Sequence, residues 1–176
     1  EAAQVDPEEI WQLLEQALEL ALDSLVLMRA AEGERLQADM LARLDNLDKE
    51  RMEIAKRAPE VPGIYRDRLT ARLTELLDER SVALVDEQRL AVEIAMFADR
   101  AAIDEELVRL ASHIESFREI LTSEGPIGKK LDFMIQEINR EINTIGSKAN
   151  DLQLTDRVVY FKSELEKIRE QVQNLE

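Results

Sequence analysis

Residues 128–150, GKKLDFMIQEINREINTIGSKAN, carry the densest set of side chains able to do chemistry. Leu131, Ile135, Ile138, Ile142 and Ile145 recur at steps of four and three, which makes one apolar stripe on an α-helix. Lys130, Glu137, Glu141, Thr144 and Lys148 then line one flank of the stripe, and Asp132, Asn139, Asn143, Ser147 and Asn150 line the other. A solvated flank is ordinarily Glu/Lys-rich, because those residues favour helix; Asn, Thr, Ser and Gly do not. Such a crowd of poor helix formers marks either a site or a polar layer fixing register between packed helices. A second cluster has Glu106, Arg109 and His113 at spacings of three and four, on one flank of another helix. His113 is the only histidine. A lone helical histidine commonly serves packing, but beside an arginine and a carboxylate it could act as acid/base or metal ligand.

The elements that must position these groups are helices. Asp6-Pro7-Glu8-Glu9 is a helix start: a capping acid, Pro in the first turn, and acids near the positive end. The helix that follows is apolar over more than half its circumference (Ile10, Trp11, Leu13, Leu14, Leu18, Leu22, Leu25), as a helix packed on two sides, or one lying against something absent here, would be. Gly33 is either a hinge or a tolerated interruption at about 1 kcal/mol. Three segments are expected: a long N-terminal helix over 1–33, a helical hairpin arm over 34–80 turning at Ala58–Gly63, and a helical domain over 81–176. In the last, Asp86 and Asp104 are placed to cap helices, Gly125-Pro126 breaks the chain, and Gly128 can cap the 128–150 helix. Val158, Phe161, Leu165, Ile168 and Val172 make a final stripe, expected to fold back antiparallel on that helix. The fold class is therefore all-α: long antiparallel helical hairpins and a C-terminal helical bundle with coiled-coil-like packing.

Composition agrees. The 176 residues are 45% hydrophobic and 35% charged but only 4% aromatic, and no stretch alternates at period two. There is no Cys, so disulfides and thiolate metal sites are excluded. No long uncharged apolar run would make a membrane span. The acidic start EAAQVDPEE lacks the form of a signal peptide, and without an initiator Met the chain reads as processed or as a fragment. A net charge of −15 opposes RNA binding by the surface as a whole. Any nucleic acid must meet a local basic patch, a bridging metal or another domain.

Two stretches resemble the YicC family of bacterial endoribonucleases: Gly128–Phe133 followed by Gln136–Asp151, and the ending Lys162-Ser163-Glu164-Leu165-Glu166-Lys167-Ile168-Arg169-Glu170-Gln171-Val172-Gln173-Asn174. Ala98-Asp99-Arg100 and Asp104 through His113 fit the same pattern. The resemblance implies cleavage of single-stranded RNA with a divalent cation, a cytoplasmic location, and a homo-oligomer, a hexamer enclosing its substrate. It also implies a strand-rich N-terminal domain of roughly a hundred residues, an ordinary domain size, which this chain does not show. On that reading Glu137 and Glu141, hard oxygen donors one turn apart, could hold Mg²⁺ or Mn²⁺. Arg140 or Lys148 could steady the scissile phosphate, Asn139, Asn143 and Ser147 could hold backbone or base groups, and His113, flanked by Glu106 and Arg109, could move a proton. Lys129 and Lys130, at a helix N-terminus, are placed for a phosphate.

Gly125–Lys130 fails as a phosphate loop, since position 123 is Ser and position 130 is Lys. No zinc-protease, EF-hand, dinucleotide or Ser-His-Asp signature occurs. The alternative to the ribonuclease is a non-catalytic acidic helical scaffold that oligomerises, in which the Asn-rich flank is a register layer.

Overall fold

The computed structural model describes residues 6–77 and 86–173, and every element among them is helical. The helices are α1 (Pro7–Arg57), α2 (Val61–Leu76), α3 (Glu87–Ala101), α4 (Asp104–Leu121), α5 (Gly128–Lys148) and α6 (Leu152–Val172), with a 3₁₀ turn over Ala58–Glu60. The chain divides after Met40 into two compact units.

The first unit is the N-terminal part of α1. Its helix continues through Gly33, which is tolerated rather than a hinge. Every side chain from 6 to 35 is exposed, Trp11 to 64% and Leu27 to 71%. Of the two expectations for this helix, packing on two sides is not met within this unit, and the exposure agrees with the other, a face lying against something absent here.

The second unit, Leu41–Glu176, holds the helices that bear the candidate residues. Its core is built from the stripes legible in the sequence. Leu44, Leu47 and Ile54 of α1 are buried with Leu110, Ile114 and Phe117 of α4. So are Leu131, Ile138, Ile142 and Ile145 of α5 and Phe161, Leu165 and Ile168 of α6. Long-range ion pairs fix the directions. Arg43–Glu164, Arg157–Glu50 and Arg57–Asp151 set α6 antiparallel to residues 43–57 of α1, and Arg118–Asp45 ties α4 to the same stretch. With the tight pairs α4–α5 and α5–α6, this is an up-and-down four-helix arrangement.

Local chemistry sets the joints. Gly125 has φ +90, a left-handed conformation that glycine adopts without steric cost. At the α5–α6 turn Asn150 takes φ 37, and Asp151 then caps α6 by accepting from the Leu154 N–H at 3.0 Å. Asp86 caps α3 as expected, through the Gln88 N–H. Two expected caps are corrected. Asp104 and Gly128 are the first residues of their helices, and Ile103 and Ile127 stand at the capping positions without side-chain bonds. The turn expected at 58–63 is a single 3₁₀ turn, with Arg57, Glu60 and Val61 all in right-handed helical conformation. Pro62 sits inside the first turn of α2, where its missing N–H is not needed. The main partner of α2 is α3, with the Tyr65 and Phe97 rings stacked at 3.8 Å and 5°.

Gly146 explains how α5 and α6 approach. A Cβ there would stand 3.0 Å from Val158 Cγ1, so the missing side chain is what admits the valine.

Candidate active site on the seam of α4 and α5

The α4–α5 seam brings together four of the residues singled out above, Glu106 with Lys148 and Arg109 with Glu141. The two helices pack closely, with Leu110 and Ile114 of α4 and Ile138 and Ile142 of α5 buried. Glu106 is 7% exposed, and its Oε1 accepts from Lys148 Nζ at 2.7 Å. The same ammonium donates to the Ala102 carbonyl at 3.0 Å, which fixes it at the end of the seam. One turn along, Arg109 Nη1 lies 3.8 Å from Oε1 of the buried Glu141, while its other nitrogen donates to Glu105. A further turn along α4, on the same flank, His113 is half-buried. Arg140 is exposed on the outer edge of α5 beside these acids and makes no ion pair among the described residues.

Electrostatics keep Glu106 ionised. Burial alone would push the Glu106 carboxyl upward. The hydrogen bond from Lys148, its own backbone N–H, and the charges of Lys148 and Arg109 outweigh that, so it is held below the usual carboxylate range. Its second oxygen, Oε2, is buried without a hydrogen-bond partner. Buried acceptors are rarely left so. The row therefore presents a carboxylate held by Lys148 and, one turn along, the Arg109 guanidinium beside Glu141.

Beyond Lys148 the seam opens into a cleft of about 620 Å³, lined among others by Tyr65, Glu93, Arg100, Ser147, Lys148 and Asn150. Tyr65, Glu93 and Arg100 were not anticipated, because they come from α2 and α3, whose packing on this end has no local sequence signal.

The other candidates lie elsewhere. Lys129 and Lys130 are exposed in the first turn of α5, about 27 Å from Lys148 at 1.5 Å per residue. Ser147 spends its hydroxyl on the Thr144 carbonyl, as Thr144 does on Arg140. Asn139 and Asn143 are exposed on the α6 side, and neither makes a hydrogen bond among the described residues. They are not a buried layer. Asn143→Ala should therefore raise stability by about 0.5 kcal/mol through helix propensity, read by urea denaturation. A register layer would show a loss.

The divalent cation was tested against these donors. Among the described residues no group of three or more His, Asp or Glu side chains is placed to hold a metal ion. Glu137 and Glu141 supply two carboxylates, one of them turned toward Arg109. That suits only a hard cation that keeps several waters and takes its remaining ligands from a substrate phosphate.

Comparison with known proteins gives a direct result. Residues 54–176 match the family described as "Endoribonuclease YicC-like, C-terminal". Over all 176 residues the chain is 47% identical to "Probable endoribonuclease YicC" of Clostridioides difficile, and spans 59% of that protein. It is 38% identical over the same length to "Probable endoribonuclease YicC" of Haemophilus influenzae, and spans 60% of it. The resemblance in the 128–174 region thus extends along the whole sequence, and the chain belongs to the YicC-like endoribonuclease family, corresponding in residues 54–176 to its C-terminal part.

Proposed function

We propose that this chain is the helical part of an endoribonuclease that cuts single-stranded RNA, and that its share of the chemistry lies on the α4–α5 seam. The observation that carries the reading is the ion-paired row Glu106–Lys148 and Arg109–Glu141, with an unpartnered buried oxygen, leading into a polar cleft. The names of the two relatives supply the reaction class.

In this reading Arg109 and Arg140 steady the phosphate undergoing displacement, where positive charge stabilises the developing oxyanion. His113 holds or moves the proton at the attacking or leaving oxygen. Glu106 fixes Lys148 at the mouth of the cleft, and Lys148 and Ser147 meet the strand there. Glu137 and Glu141 would hold the divalent cation, Mg²⁺ or Mn²⁺, which would supply charge neutralisation at the phosphate when bound. A cation entering with RNA also meets the objection raised by the charge of −15. The homo-oligomer, its hexameric form and the cytoplasmic location belong to the same proposal.

The test is incubation of the chain with end-labelled single-stranded RNA, with Mn²⁺ and with chelator, alongside calorimetric titration of Mn²⁺ into the wild type and Glu137→Gln. Metal-dependent cleavage and weakened Mn²⁺ binding by the variant are expected. Absence of cleavage, both by this chain and by a full-length relative carrying its residues, would favour the acidic scaffold.

A further inference from the structure

Six residues made 139–150 a poor helix: Asn139, Asn143, Thr144, Gly146, Ser147 and Asn150. The fold accounts for four. Thr144 and Ser147 bond their own backbone, Gly146 admits Val158, and Asn150 ends the helix in the left-handed conformation. Asn139 and Asn143 are left over. Both are exposed, one turn apart, and line an open groove of about 530 Å³ between α5 and α6, together with Gln136, Lys162, Glu166 and Arg169. Lys162 makes no ion pair among the described residues, and Arg169 is 3.6 Å from Glu166. In a strongly acidic chain this groove sets two cations against one acid.

We propose that this groove is a track for single-stranded RNA, separate from the seam where cleavage is placed. Its chemistry is that of a nucleotide chain rather than a simple anion. An anion uses donors only, whereas each carboxamide offers a donor and an acceptor, which match base edges and 2′-hydroxyls. Lys162 and Arg169 supply the phosphate contacts. Asn139 and Asn143 are about 6 Å apart along the helix, a step comparable with that between nucleotides of an extended strand. Two residues of helix are about 200° of turn, so both amides lie on the far side of α5 from Glu141. The groove therefore holds a part of the strand that is not being cut. This inference rests on the RNA reading above and adds Lys162, Arg169 and Gln136 to the binding residues.

The test is fluorescence anisotropy with a labelled single-stranded oligoribonucleotide of mixed sequence over a range of salt. Wild type is compared with N139A/N143A, K162A/R169A and, as a control outside both groove and seam, Lys49→Ala at an exposed position of α1. Circular dichroism and thermal midpoints establish that each variant is folded. K162A/R169A should bind about tenfold more weakly, with the salt slope reduced by about 1.4, that is about 0.7 per lost phosphate contact. N139A/N143A should weaken binding about tenfold with the slope unchanged and the midpoint unchanged or raised. Lys49→Ala should keep both groove parameters. If wild type binds RNA and both double variants match its affinity and slope, the groove is overturned while the RNA reading stands. If wild type binds no RNA, both fall.

Discussion

Lys148→Met should lower the unfolding free energy by about 2 kcal/mol at neutral pH, and the deficit should shrink on acidification. Removing one partner of a fully buried pair costs about 3–5 kcal/mol. The Lys148 side chain is 34% exposed, so water replaces part of the lost cation and the lower figure applies. The pH dependence follows from Glu106. In the wild type its pKa is lowered from 4.5. The pair's stabilisation is therefore complete above that value and is lost as pH falls through the folded pKa. Without Lys148 the burial that pushes the carboxyl upward is opposed mainly by its backbone bond and Arg109. The charged form is then the destabilised one, and protonation relieves it. Urea denaturation of wild type and variant between pH 4 and pH 7 measures this; a deficit that stays constant or grows toward pH 4 would contradict it. Glu106→Gln combined with Lys148→Met should recover part of the loss, because no charge is then left buried.

Asp151→Ala is expected to cost about 2–3 kcal/mol. Two roles are lost together. As the cap of α6 the carboxylate is worth about 1 kcal/mol. As the partner of Arg57, with contacts of 3.0 and 3.4 Å, it ties α1 to the turn before α6, and charged hydrogen bonds of this kind contribute about 1.5–3 kcal/mol. Asp151→Asn keeps the cap acceptor and loses only the charge, so it should cost about half as much. The hydrogen bond from Arg57 is the main cause holding this carboxyl below its ordinary 3.8, opposed by burial and aided by the Leu154 N–H. A lowered carboxylate contributes fully above its unfolded pKa and loses that contribution as pH falls through the folded value. Wild-type stability should accordingly drop below about pH 4, and Asp151→Asn should drop less. Equal acid sensitivity in the two proteins would contradict the assignment.

The α-helical class and the core of the second unit were legible because apolar residues recur at three-four steps, and in α4, α5 and α6 burial follows those stripes; the apolar residues of α1 before Gly33 are exposed instead. Leu131, Ile138, Ile142 and Ile145 are all buried as their spacing requires. The Glu106/Arg109/His113 flank was legible for the same reason. Its meeting with Glu141 and Lys148 follows once α4 and α5 pair antiparallel. Other features depend on where helices meet. Gly146 and Ser147 looked like parts of a site by composition, and only the approach of Val158 and the Thr144 carbonyl gives them structural work. The groove around Asn139 had an unused signal. An α5–α6 pair in antiparallel register sets Asn139 opposite Leu165, which places Lys162 and Arg169 on either side. Tyr65 and Arg100 had no such signal, since their placement depends on α2 turning onto α3.

The central claim, that the α4–α5 seam is where RNA is cut, is tested most directly by replacing His113 with alanine. The variant is first shown by circular dichroism to be folded, and then assayed for single-turnover cleavage of labelled RNA beside the wild type. A histidine that moves a proton in the reaction is worth about 10²- to 10⁴-fold. Cleavage should fall within that range while RNA affinity, set largely by the groove, stays near wild type. Cleavage at the wild-type rate by folded His113→Ala would contradict the seam as the place of reaction.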